Sequence, residues 1–198
     1  AALENERLEG FEAGIDYRPS APIALSLTAF DNRVKNAVAN VTLGTNLRQR
    51  RNIDAIRARG LEAAASANVG RLSFDASASW TDAEARGSGF AAVLDGNRPS
   101  QTPRFVGGAS LAWRPAEAWL LSATIRHVGA QFEDDRETNI LPAATTLDAY
   151  AQIPLLRDVA LVLRGENLTD ETIITRNQSG SIDLGVPRTV WAGVKIGL

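Results

Sequence analysis

The sequence predicts an all-β protein: an antiparallel up-and-down transmembrane β-barrel wall of about nine strands. Three observations carry that prediction. Segment after segment alternates apolar and polar residues with a period of two. Charges inside those segments keep to the non-apolar parity, and the connections between segments alternate short and long.

In the first segment, 10–17, Phe11, Ala13, Ile15 and Tyr17 share one parity, with Glu12, Gly14 and Asp16 on the other. Pro19 and Pro22 mark a short turn. Ile23, Leu25, Leu27 and Ala29 then alternate with Ala24, Ser26 and Thr28, and the strand is expected to continue through Arg33 before a polar segment, 36–52. The stretch 48–67 holds helix-favouring Ala, Arg, Leu and Glu, so helix competes with strand there. Gly60 interrupts a helix, and Leu61, Ala63, Ala65 and Ala67 alternate with Glu62, Ala64, Ser66 and Asn68, so 53–68 is expected as the third strand.

Asn68-Val69-Gly70 reads as a tight hairpin. Leu72, Phe74, Ala76, Ala78 and Trp80 alternate with Ser73, Asp75, Ser77, Ser79 and Thr81, the cleanest strand of the chain, followed by a long loop, 83–102. Phe105, Gly107, Ala109, Leu111 and Trp113 form the fifth apolar parity; after the turn 115–118, Trp119, Leu121, Ala123 and Ile125 form the sixth. A polar, acidic loop covers 131–142. Leu147, Ala149, Ala151 and Ile153, a turn at 154–158, and Val159, Leu161 and Leu163 give strands seven and eight. The ninth, from Val190, keeps Ala192, Val194, Ile196 and Leu198 on one side.

Connections after strands one, three, five and seven are short, and those after two, four, six and eight are long and polar. An outer-membrane barrel sorts its connections this way, with short periplasmic turns and long extracellular loops. Glu12, Asp16, Glu62, Asp75, Arg104, Arg126, Asp148, Arg164, Glu166 and Lys195 all fall on the non-apolar parity. An outward Arg or Lys at mid-bilayer costs about 2–4 kcal/mol, so that parity is the one expected to face inward. Trp113 and Trp119 flank one short turn and Tyr17 adjoins another, as in an interfacial girdle. A soluble β-sandwich explains simple alternation equally well. Against it, the apolar faces are rich in Ala and Gly, poor core filler, and the strands exceed the soluble mean of about 5–6 residues.

Composition bounds the function. Lys plus Arg number 21 and Asp plus Glu 23, a net charge of −2 without the basic excess of a nucleic-acid binder. There is no cysteine and one histidine, which removes thiolate chemistry and His- or Cys-rich metal sites. Methionine is absent even at position 1, so Ala1 is not expected to be a translational start. No apolar run approaches the ~20 residues of a membrane helix, but a membrane strand needs only ~9–11 alternating residues.

Asn167-Leu168-Thr169-Asp170-Glu171, a following loop, the pair Pro187-Arg188 and the alternating terminal strand together resemble the C-terminal signature of TonB-dependent outer-membrane receptors. Ala58-Arg59-Gly60-Leu61-Glu62 resembles a recurrent strand of the same family, and the likeness extends back to about Gly10. Two departures stand out: Thr172 and Ile173 follow where the family usually has an aromatic, and Leu198 ends the chain where it usually has Phe. The resemblance implies that 1–198 is the C-terminal part of a barrel domain of about 22 strands whose lumen holds an N-terminal plug. It implies energy-dependent uptake of a scarce ligand, typically a ferric siderophore, without catalysis and without a cofactor. It implies an outer-membrane location with a periplasmic C-terminus. The implied partners are outer-membrane lipid and lipopolysaccharide, the plug and, through it, the TonB complex. Two rivals remain: a small autonomous porin-like barrel and a soluble β-sandwich binding module.

No catalytic or metal-binding constellation emerges. His127 lacks a Ser or Cys partner pattern, and Glu133-Asp134-Asp135 lacks the spacing of a Ca²⁺ loop and reads as a solvated acidic loop. Arg48-Gln49-Arg50-Arg51 could hold an anion but reads first as a solvated loop end. Inward Arg104, Arg126, Arg164, Asp148 and Glu166 are expected to pair with one another or with the plug. Loops 83–102 and 172–185 are the expected ligand contacts, since function concentrates on loops held by a rigid scaffold. The candidate ligand-binding residues are Arg98, Gln101, Arg104, Arg126, Arg176 and Asn177.

Overall fold

In a computed structural model that describes residues 3–44, 47–178 and 180–197, the chain forms one long antiparallel sheet. Its strands are β1 (Arg7–Ser20), β2 (Ile23–Lys35), β3 (Ala55–Val69), β4 (Leu72–Arg86), β5 (Phe105–Trp113), β6 (Leu120–Val128), β7 (Ala144–Leu156), β8 (Val159–Glu166) and β9 (Thr189–Ile196). These nine lie side by side in chain order, each paired antiparallel with the next. That is the up-and-down wall the alternation predicts, and it is not a Greek-key sandwich. No pairing joins β1 to β9 among the described residues, so the sheet has two open edges.

The competing helix at 48–67 does not form; Ala55–Val69 is β3. Antiparallel pairing with β2 on one side and β4 on the other overrides helix propensity there. The β3–β4 turn is the two residues Gly70 and Arg71, and Gly70 has φ +58°, as a II′ hairpin requires of its first central residue. Several strands run further than the alternation indicates. β2 reaches Lys35, and β4 reaches Arg86, so 83–86 belongs to a strand and not to the long loop. The four long connections also carry structure of their own. Val38–Gly44 pairs with Leu47–Asn52, Gln131–Phe132 with Ile140–Leu141, and Ile174–Gln178 with Ser181–Leu184; Gly89–Leu94 is a 3₁₀ helix. The segment 36–52, expected only as a polar loop, is thus largely a ribbon. The expected last outward residue, Leu198, lies outside the described residues, as do 1–2, 45–46 and Ser179.

Register shows how the faces are built. Across the sheet, Leu61 stands beside Ala29 and Trp80, and Trp80 beside Phe105, all on one face. Phe11, Ile15, Tyr17, Trp80, Phe105, Trp113 and Ile196 on that face are exposed, so it is an unpartnered apolar band. Its opposite is polar: Asp16 pairs with Ser26, Thr28 with Glu62, Asp75 with Ser110, and Thr124 with Asp148.

Toward the long-loop end the two faces exchange character. On β2, β3 and β4 the apolar-band parity now carries Asp31, Arg33 and Lys35, then Arg57 and Arg59, then Asp82, Glu84 and Arg86. The opposite parity turns apolar: Val34, Ile56, Ala83 and Ala85. The expectation that charge avoids the apolar parity therefore holds across the band and fails beyond it. The reason is local. Past Trp80 the loops fold over the formerly polar face and need apolar residues there, and the other face is left to solvated charge.

The buried core sits at this end. Ala37, Val41 and Ile53 from the first long connection pack with Ala85, Ala91 and Leu94, and Val34, Ala39 and Ile56 join them. The middle of the sheet has no buried core of its own, because a single sheet has nothing to pack against.

Candidate ligand-binding site between the loops

Three of the long connections are stitched together by hydrogen bonds rather than left loose. Asp134 is buried, and its carboxylate accepts the backbone N–H groups of Arg136 (3.0 Å), Thr138 (3.0 Å) and Asn139 (2.6 Å). Burial pushes its pKa up, but these donors outweigh that and hold the carboxyl below its usual range. The neighbouring Asp135 reaches across to the first connection and accepts both the Thr42 N–H at 2.9 Å and its hydroxyl at 2.7 Å. The second connection is tied in by Asn97 Nδ2 donating to the Asp135 carbonyl, the Arg98 N–H to Glu137, and the Gln101 amide to Glu133. Glu133-Asp134-Asp135 is therefore a structural knot rather than a solvated run.

Between these loops lies a cavity of about 520 Å³. Arg48, Arg98, Gln101, Glu133, Asp135 and Gln178 are among the residues lining it. They come from all four long connections, so the cavity exists only once the nine strands are in register. Two of its acids are already engaged, Glu133 by Gln101 and Asp135 by Thr42. Arg98 has its guanidinium 5.5 Å from the Phe132 ring centre. Arg51, which does not line the cavity, lies 4.6 Å over Phe90. What the lining offers a ligand is mainly guanidinium and amide donors.

Of the six candidates read from sequence, the cavity brings together Arg98 and Gln101. Arg104 lies one residue before β5, and its guanidinium approaches Asp82 at 4.0 Å. Arg126 stands on the polar face of β6, ion-paired with Asp148, and lines a trough of about 880 Å³ along that face. Arg176 pairs with Asp183 at 3.3 Å within its own ribbon, where Asn177 faces Ile182. The expected pairing of inward charges holds for Arg126–Asp148 and Arg164–Glu166. Arg48 and Gln178 complete the cavity, and no spacing in the sequence connects them to Arg98. His127 hydrogen-bonds Thr145 at 2.7 Å and lies against Phe105, with ring centres 5.8 Å apart.

The motif residues close the final loop. Asn167 is buried and spends its side chain within the chain. Its Nδ2 donates to the carbonyls of Glu171 (2.9 Å) and Val186 (3.1 Å), and its Oδ1 accepts the Glu171 N–H at 3.0 Å. Asp170 pairs with Arg188 at 2.9 Å, which links the two separated pieces of the terminal signature.

Comparison with known proteins agrees with this architecture. The family model described as TonB dependent receptor-like, beta-barrel, matches residues 1–168. The ferric yersiniabactin uptake receptor FyuA from Yersinia pestis superposes with a TM-score of 0.83 at 19% identity, over 98% of this chain and 30% of that one. The siderophore receptor PiuA from Acinetobacter baumannii gives 0.80 at 16% identity, over 96% and 28%. The ferric citrate transporter FecA, unliganded, gives 0.75 at 19% identity, over 96% and 31%. The chain thus spans under a third of the length of these solved structures, and at such identities the likeness is one of fold. Among curated proteins none matches.

Proposed function

The chain belongs to the TonB-dependent receptor-like β-barrel family, and we propose that it is the C-terminal part of the barrel of an outer-membrane receptor that takes up a scarce ligand, most simply a ferric siderophore. The observation that carries this reading is the loop cavity seated on a sheet with an exposed apolar band. A rigid wall holds four connections at one end, and those connections enclose a donor-rich hollow at Arg48, Arg98, Gln101 and Gln178. A ferric chelate rich in carboxylate, catecholate or hydroxamate oxygens is an acceptor-rich ligand and complements such a lining.

In this reading the apolar band meets lipid, the long loops face the exterior, and β9 ends toward the periplasm. The open edges of β1 and β9 are closed by further strands of a larger barrel, because unpaired backbone groups in lipid cost several kcal/mol each. The polar face, with Glu12, Glu62 and Asp75, lines a lumen occupied by a plug, and TonB acts on that plug. The outer leaflet's lipopolysaccharide surrounds the loop end. The role is transport, not catalysis.

The test is uptake. Iron-starved cells that express the polypeptide carrying this segment, and cells lacking it, are given a panel of radiolabelled ferric siderophores with and without an active TonB system. Uptake of at least one chelate that needs both the polypeptide and TonB supports the reading. Uptake of every chelate unaffected by loss of the polypeptide overturns the siderophore assignment.

A further inference from the structure

We infer that Asp135 is a positioning residue of the loop cavity: it fixes the backbones that carry Arg48 and Arg98, and Thr42 holds its charge away from the Arg48 guanidinium, which stays available to an anionic ligand. The inference deepens the uptake reading above and rests on it for the nature of the ligand. Asp135 is bonded to the immediate neighbour of each cavity arginine. Thr42, whose N–H and hydroxyl both donate to the Asp135 carboxylate, stands directly opposite Arg48 in the ribbon of the first connection. Asn97, whose Nδ2 donates to the Asp135 carbonyl at 3.1 Å, directly precedes Arg98, and the Arg98 N–H goes to Glu137 at 2.7 Å. The turn that presents Asp135 is held by the buried Asp134 carboxylate. One residue thus sets the first, second and third connections against one another.

Charge is arranged as carefully as distance. Cross-strand partners project from the same face of a ribbon with Cβ atoms about 5 Å apart. The Asp135 carboxylate, 2.7 Å from the Thr42 hydroxyl, therefore lies within reach of the Arg48 side chain, and both residues line the cavity. An ion pair between them would neutralise the site from within. Yet among the described residues neither Arg48 nor Arg98 has an ion pair. Neutral donors satisfy the carboxylate instead: Oδ1 accepts the Thr42 hydroxyl and Oδ2 accepts the Thr42 N–H. Glu133, the other acid of the lining, is held in the same way by the Gln101 amide at 3.1 Å. With both acids occupied by uncharged partners, the guanidiniums keep their charge-assisted hydrogen bonds for what enters the cavity.

The experiment measures how fast phenylglyoxal, a guanidinium reagent, modifies Arg48 in the full-length polypeptide in detergent, read by mass spectrometry of its peptides. Thr42→Val keeps the shape of the side chain and the backbone N–H but removes the hydroxyl, which leaves Oδ1 of Asp135 to pair with Arg48. The expected result is a slowing of Arg48 modification by about threefold, the protection an exposed ion pair gives. Arg188, paired with Asp170 in the last connection, is the internal reference and keeps its rate. Thr42→Ser reacts as wild type, and Thr42→Val/Asp135→Asn returns to the wild-type rate because the charge is gone. A merely structural role has the opposite sign, since a loosened loop exposes Arg48 and speeds its modification. An Arg48 rate in Thr42→Val that is unchanged or raised, or a slowing that persists in the double variant, overturns the inference. Thr42→Ala, read by the same signs, decides the matter if Thr42→Val does not assemble. No ligand enters this measurement, so it separates the two readings: a failed rate prediction removes the role of Asp135 and leaves uptake standing, whereas failed uptake leaves the rates as expected.

Discussion

Asn167 donates its side-chain amide to the carbonyl of Val186 at 3.1 Å, pinning the turn after β8 to the approach of β9. It is buried, holds φ +48°, and answers the Glu171 backbone at both its carbonyl and its N–H. Asn167→Ala leaves these groups buried and unpaired and places Ala in a conformation it resists, a loss of about 2–3 kcal/mol. Urea unfolding of the purified polypeptide in detergent measures it. Asn167→Asp keeps the acceptor but turns a buried carboxylate oxygen toward the Glu171 and Val186 carbonyls, so its cost is expected to be at least as large.

Gly60 sits directly opposite Phe30, whose ring comes within 2.7 Å of where a Cβ would stand. The nearer obstacle is the Trp80 carbonyl oxygen, 2.2 Å from that point. Gly60→Ala is therefore expected to destabilise by about 1–3 kcal/mol through forced backbone movement. Phe30→Ala does not rescue it, because the carbonyl stays. A double variant as stable as Phe30→Ala alone would contradict this.

The knot at Asp134 has a defined pH dependence. Its carboxyl is held below the usual range, so the stabilisation is fully present above the ordinary carboxylate pKa of about 3.9 and is lost as pH falls through the lower folded value. Protection of the Thr138 and Asn139 amides from hydrogen exchange is accordingly unchanged from pH 7 to about pH 5 and falls only in stronger acid. In Asp134→Asn that protection is already reduced at neutral pH.

Ligand recognition should divide the arginines. On the uptake reading proposed above, Arg98→Ala and Arg48→Ala each weaken chelate binding about tenfold, or about 1.4 kcal/mol, since both line the cavity. Arg176→Ala changes it less, because that guanidinium is spent on Asp183. Isothermal titration with the chelate that uptake identifies gives the three constants.

The wall was legible in the sequence because period-two alternation is a local signal, and it located all nine strands of the sheet. What it hid was the upper third. Asp31-Asn32-Arg33-Val34-Lys35 and Thr81-Asp82-Ala83-Glu84-Ala85-Arg86 still alternate, but with the apolar residues on the other parity. The second strand is legible through Arg33, two residues short of its end, whereas the fourth is lost at Ala83, where following one parity ends the strand. That inversion is the sequence trace of the band's edge. The loop ribbons were hidden for another reason: Val38–Gly44 and Leu47–Asn52 are short, and their apolar residues serve a core shared with the distant Ala91 and Leu94. The cavity was half legible. Arg98 and Gln101 lay in a loop long enough to be suspected, but Arg48 and Gln178 join them only through tertiary register.

The most direct test of the central claim is the fraction and mass of the native polypeptide that carries this segment, read by an antibody to the loop 87–104. The account predicts an outer-membrane band about three times the 21.2 kDa of this chain, in proportion to the share of the related structures it covers. A band confined to the soluble fraction, or one of about 21 kDa in the outer membrane, would contradict it.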